Sequence, residues 1–164
     1  MKLLLNVHLI FIGLLLTSTV SASPQNGQKY GDWAFSCDNG SSSQVCFIEQ
    51  SLVSGKENKR RILGVKIGYY QKKVYGNFVL PLGVLLQHGI KIKVDGFEFS
   101  EPIKFTYCNE GGCSASFHLD EKMIGMLKQG NKMEITAMST NWKTFSLPVS
   151  LKGFTKAFGI LTAE

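Results

Sequence analysis

Ile90-Lys91-Ile92-Lys93-Val94-Asp95-Gly96-Phe97-Glu98-Phe99 alternates apolar and charged residues at period two around a central Asp-Gly. Period two is the spacing of a strand with one buried and one wet face, whereas the apolar stripe of a helix recurs every 3.6 residues. Asp-Gly is a hairpin signal because both residues tolerate the positive φ that tight two-residue turns demand. The stretch therefore reads as two antiparallel strands, with the isoleucines, Val94 and the phenylalanines directed to a core and the charges to solvent.

The same rhythm runs along most of the chain. Residues 30–37 place Trp33, Phe35 and Cys37 on one face, and residues 62–70 set Leu63, Val65, Ile67 and Tyr69 against Gly64, Lys66 and Gly68. Further strands are expected at 45–51, 74–80, 103–108, 113–118, 133–139 and 144–150. About nine short strands with a turn signal every ten residues or so point to a sandwich or a barrel. The expected fold is a mostly β, antiparallel sandwich-like single domain over residues 30–164. One helix interrupts it at 120–129, where Asp120 can cap the first turn, Met123, Ile124, Met126 and Leu127 form an apolar face, and Gly130 supplies the stop. A shorter helix is expected from 151 to about 161, although Gly153 and Gly159 each weaken it by about 1 kcal/mol relative to Ala.

Ahead of the domain, Lys2 precedes an apolar run over residues 3–16, and Val20-Ser21-Ala22 forms a small-residue cleavage site. This is the pattern of a signal peptide of residues 1–22, cut before Ser23. The run falls short of the roughly 20 apolar residues a membrane-spanning helix needs. Cleavage leaves 142 of the 164 residues and changes the net charge from +6 to +5, since Lys2 is the one charged side chain removed. Residues 23–29 are polar with Pro and Gly and read as a flexible leader. A modestly basic balance permits attraction to anionic membranes, glycans or nucleic acid without selecting among them.

Four cysteines in an exported chain read as disulfides. Cys108 and Cys113 flank a four-residue loop, Asn109 to Gly112, and Cys37 and Cys46 bracket a turn-rich connection. Closing these loops contributes about 2–3 kcal/mol each on the loop-entropy account, against about 4.5 for a crossed Cys37–Cys113 bond. Hairpin geometry nevertheless brings the local partners together first, so Cys37–Cys46 and Cys108–Cys113 are the expected pairs. Zinc sites use tighter spacings than C-x8-C and C-x4-C, and a redox pair would be C-x-x-C at a helix start. No metal or cofactor is expected.

Catalytic signals are sparse. The mature chain retains two histidines, His88 and His118, with neither an HExxH motif nor a GxSxG elbow. A hydrolase would need one of them beside a carboxylate in an apolar cleft. The distinctive charge feature is Lys56, Lys59, Arg60, Arg61, Lys66, Lys72 and Lys73, seven cations against the single anion Glu57 within 18 residues. A solvated loop and strand face is one reading of it. The other is a patch for an anionic lipid, glycan or host surface, with Tyr69, Tyr70 and Tyr75 as aromatic neighbours. No nucleic-acid-binding motif accompanies it.

Four stretches together resemble the bacterial invasion-associated locus B family. Leu80-Pro81-Leu82-Gly83-Val84-Leu85-Leu86, followed by Gly89 to Gly96, is similar to its "LPLGVLL…G…KIDG" signature. Tyr30-Gly31-Asp32-Trp33 with Cys37 resembles "FGDW…C", Cys108 to Cys113 resembles "C…GC", and Leu147 to Phe154 resembles "PLSLKGF". Gln87-His88 stands where the family often has Pro or Ser, so the resemblance assigns His88 no role. It implies an exported protein of Gram-negative alphaproteobacteria, periplasmic or outer-membrane associated, linked to entry into host erythrocytes, and it carries no catalytic residues across; the role expected here is non-enzymatic binding. Its partner would be a host-cell surface or anionic envelope component. A periplasmic stress or chaperone-like factor with an indirect effect on entry is the alternative, and an unrecognised hydrolase a second.

Overall fold

The computed structural model describes residues 24–38, 45–55, 57, 60–99 and 101–163. The export segment, and the turn between Cys37 and Cys46, lie outside the described residues. Two antiparallel sheets make up the fold. The larger contains β1 (Gln28–Tyr30), β2 (Trp33–Asp38), β3 (Val45–Ser54), β4 (Arg60–Tyr70), β5 (Lys73–Leu80), β8 (Tyr107–Asn109) and β9 (Gly112–Leu119), in the order β1-β2-β3-β4-β5-β9-β8. The smaller contains β6 (Lys91–Val94), β7 (Phe97–Glu98), β10 (Lys132–Met138) and β11 (Thr144–Ser150), in the order β11-β10-β6-β7. Helices α1 (Glu121–Gln129) and α2 (Phe154–Leu161) complete it. The expected mostly β, antiparallel class is the one observed.

One buried cluster joins the inner faces of both sheets, with Phe35, Ile48, Val65, Ile67 and Phe78 from the larger and Ile92, Val94, Met133, Ile135 and Val149 from the smaller. Polar ties cross between the sheets where β3 meets β11. The Gln50 side chain donates to the Ser150 carbonyl at 3.0 Å and accepts from the Ser150 amide at 3.0 Å, as a neighbouring strand would. The Trp33 indole donates to the same carbonyl at 2.9 Å while its ring meets Phe154 of α2 edge-on at 5.2 Å. The hairpin expected at 90–99 forms as β6 and β7: Asp95 and Gly96 both take positive φ, 47° and 90°. Asp95 does more than turn the chain, since its carboxylate accepts from the Asn131 and Lys132 amides, both at 2.9 Å, and so fastens the start of β10.

Cys37 lies directly opposite Cys46, and Cys108 opposite Cys113; both local disulfides are present. The helix at 120–129 is also found, with Asp120 accepting from the Met123 amide at 2.7 Å.

Several expectations change. The strand read at 30–37 is two strands, and the leader contributes Gln28 and Lys29 to the first of them. The break is at Gly31, whose φ is 62° and whose Cα faces Gly153 so closely that a Cβ on either residue would meet the other segment's carbonyl oxygen, Lys152 at 2.4 Å or Tyr30 at 2.1 Å. Gly153 also delays the C-terminal helix, which starts at Phe154 instead of 151 because Gly153 sits at φ 86°. Residues 103–108 form a single bridge, Ile103 to Ile90, and then the short β8. Phe97 faces solvent, since β7 is a two-residue edge strand with nothing packed over that position.

Candidate functional site

A fault in the alternation of β4 creates the candidate site. Arg61 shares parity with Leu63, Val65 and Ile67, which point into the core, so strict period two would bury it. The pairing of β3 with β4 slips instead: Leu52 faces Leu63, Val53 faces Arg61, and Ile62 is stepped over. Such a bulge re-aims side chains next to it. Arg61 is thereby turned to the outer face of the larger sheet, where its stem passes 3.6 Å from the place a Gly64 Cβ would take. Lys66 stands on the same face, paired with Glu49 at 3.8 Å and lying 4.1 Å above the Phe47 ring.

Between Arg61 and Lys66 on β4 and Tyr107 and Asn109 on β8 the outer face is hollowed, with a volume of about 290 Å³. Its floor is polar. Asn77 donates to Ser114 and Ser116 across the β5–β9 pair, which fixes its amide in the lining of the hollow. Arg61 reaches the Gly111 carbonyl at 3.4 Å. It also lines a second hollow of about 430 Å³ with Arg60, Ser54 and Pro81. Arg61 is thus common to both depressions, and among the described residues amide, hydroxyl and phenol groups complete the linings without an acid. Such a surface suits reversible binding of an anionic, hydroxyl-rich group.

The seven cations read from the sequence do not form one cluster. Lys56 and Lys59 lie outside the described residues. Arg60 and Arg61 stand at the start of β4 and Lys66 just past its middle, whereas Lys72 lies in the β4–β5 turn and Lys73 opens β5 beyond the far end. The eleven residues of β4 span roughly 35 Å at strand rise. Tyr75 is on the outer face, edge-on to His118 at 5.8 Å; Tyr70 is exposed near the turn, and Tyr69 packs against the core. His88 lies elsewhere, against Trp142 near the smaller sheet, at 5.7 Å. The two histidines therefore cannot act together, and each faces an aromatic ring instead of a carboxylate. Among the described residues no three His, Cys, Asp or Glu side chains cluster closely enough for a metal ion.

Asn77, Ser114, Tyr107 and Asn109 were not legible as site residues in the sequence. Their outward parity was available, but only the strand order β4-β5-β9-β8 makes them neighbours.

A family model described as "Invasion associated locus B (IalB) protein" matches residues 33–161. The chain belongs to this invasion-associated family. The Invasion protein B homolog of Brucella abortus is 28% identical over 161 residues, covering 93% of this chain and 91% of that protein. Invasion protein B of Bartonella bacilliformis is 26% identical over 140 residues, covering 83% of this chain and 74% of that one. The crystal structure of invasion associated protein b from Bartonella henselae superposes with a TM-score of 0.72 at 22% identity, over 83% of this chain and 94% of that one, and shares the fold.

The stretches that carry the IalB resemblance meet in pairs. Tyr30-Gly31 abuts Lys152-Gly153, with the Asp32 amide donating to the Lys152 carbonyl at 3.0 Å. Leu80 pairs with Cys113, and a Cβ on Gly112 would meet the Leu80 carbonyl oxygen at 2.2 Å. These motifs hold the framework together, and Asn109, Gly111 and Gly112 of the Cys108–Cys113 stretch also line the cationic hollow.

Proposed function

We propose that the mature protein is exported to the envelope and contributes to host-cell entry, in the IalB setting entry into erythrocytes, by non-enzymatic binding of an anionic surface component through the Arg61–Lys66 face. The observation that carries this reading is the bulge at Ile62. Keeping a plain alternating strand would direct Arg61 to the core; the bulge gives up regular pairing and sets Arg61 over the polar hollow that Lys66 also lines. A sulfated or carboxylated glycan and a lipid headgroup share the required chemistry, anionic oxygens with hydroxyl neighbours. The two cations and Glu49 are partly exposed, so their contribution is screened by salt and binding weakens as ionic strength rises.

Entry assays test this reading. Purified protein added outside the cells restores entry to a deletion strain, and R61E/K66E protein does not. Restoration only by protein made inside the strain would favour the periplasmic stress or chaperone-like alternative and contradict surface action.

A further inference from the structure

A second surface lies at the end of the smaller sheet and meets the Arg61 hollow at Pro81, next to Leu82. Backbone hydrogen bonds from the Leu85 amide to Met138 and from the Thr140 amide to Gly83, both 2.8 Å, zip the 82–86 loop to the β10–β11 turn. They gather three of the molecule's most exposed large apolar side chains: Leu82 at 61%, Leu86 at 50% and Trp142 at 68%. Side chains this open stand proud of the surface, as contacts for a soft planar partner would. Trp142 is held there at φ 59°, a conformation that a bulky L-residue adopts rarely and at a cost. The turn is fixed around it by the Trp142 amide donating to Ser139 and the Ser139 amide donating to Lys143, both at 2.9 Å.

Cations border these tips. Lys143 follows Trp142 in the chain, and Lys104 passes beside Gly89, next to His88. Both lysines are exposed and make no ion pair among the described residues, whereas Lys91 is met by Glu98 at 3.8 Å. Indole rings with leucines and flanking lysines are the elements that lodge a protein at an anionic bilayer surface, the rings at headgroup depth and the ammonium groups at phosphate. We propose that Trp142, Leu82 and Leu86 form a lipid-docking edge, with Lys104 and Lys143 selecting anionic lipid. Among the described residues no helix is long and apolar enough to cross a membrane, so attachment at this edge is peripheral.

The chain contains two tryptophans, and Trp33 is fully buried, so a change of emission on adding vesicles reports Trp142. The test mixes full mature protein with phosphatidylcholine vesicles and with 3:1 phosphatidylcholine–phosphatidylglycerol vesicles, following emission and flotation. The expected result is a blue shift and co-flotation with the anionic vesicles. Trp142→Gly, which suits the positive φ and so keeps the fold, should weaken vesicle binding about tenfold or more, and K104E/K143E should abolish the preference for anionic lipid. R61E/K66E should leave the blue shift intact, which separates this edge from the proposed binding face. No shift with either vesicle would overturn the proposal. So would a shift produced by soluble oligosaccharide without flotation, or self-association in sedimentation that Trp142→Gly abolishes.

Discussion

Asp95 illustrates how much one residue carries beyond its place in a pattern. Its turn role follows from Asp-Gly alone, but its second role depends on Asn131 and Lys132, whose amides approach only after β10 pairs with β6. Those two backbone donors, Asn131 first, hold the carboxyl below its ordinary value of 3.8. A depressed folded pKa contributes stability that is present above the unfolded value and is lost as pH falls through the folded one. Asp95→Asn should therefore flatten the fall in melting temperature between pH 5 and pH 2 relative to the parent; an unchanged slope would contradict the assignment. Gly153 is a second case. Gly153→Ala should cost about 1–2 kcal/mol from the left-handed conformation alone, with more from contact with the Tyr30 carbonyl, read as a lower urea midpoint at constant m-value. Neither close approach is visible in a single sequence, where Gly153 reads as a weak point in a helix.

At the scale of elements, alternation located most strands because each has one buried face, and the hairpin turns follow from local turn chemistry. What alternation misses are its own interruptions. The bulge at Ile62 has no local signal, since Arg60-Arg61-Ile62-Leu63 fits a regular strand end as well as a slipped one, and its site consequence for Arg61 was unreadable. Gln50 is similarly ambiguous: a polar residue on β3 becomes a clamp on β11 only once the sheets are stacked. Gln50→Leu should destabilise by about 1–3 kcal/mol by leaving the Ser150 amide without its acceptor, measured by chemical denaturation. The disulfides, by contrast, were legible, because each closes a short loop between paired strands. Replacing Cys108 and Cys113 together by Ser should cost about 2 kcal/mol, and Cys37 with Cys46 slightly more because the loop closed is longer; thermal melts of the two double variants give the order.

For the whole molecule, the IalB family stretches fasten one edge of the framework to another and also supply part of each surface, Asn109 in the cationic hollow and Leu82 and Leu86 on the apolar edge. The cationic stretch was legible as composition, but its geometry was not. The length of β4 splits it, leaving Arg61 and Lys66 over the polar hollow and Lys72 and Lys73 at the far turn. That split supplies a charge-matched control. The direct measurement is binding of purified protein to immobilised heparin and to host erythrocytes, comparing R61E/K66E with K72E/K73E at equal net charge and two salt concentrations. Binding through the Arg61–Lys66 face predicts at least a tenfold loss for R61E/K66E and near-parent affinity for K72E/K73E; equal losses in both variants would show attraction to overall charge and contradict a site on this face.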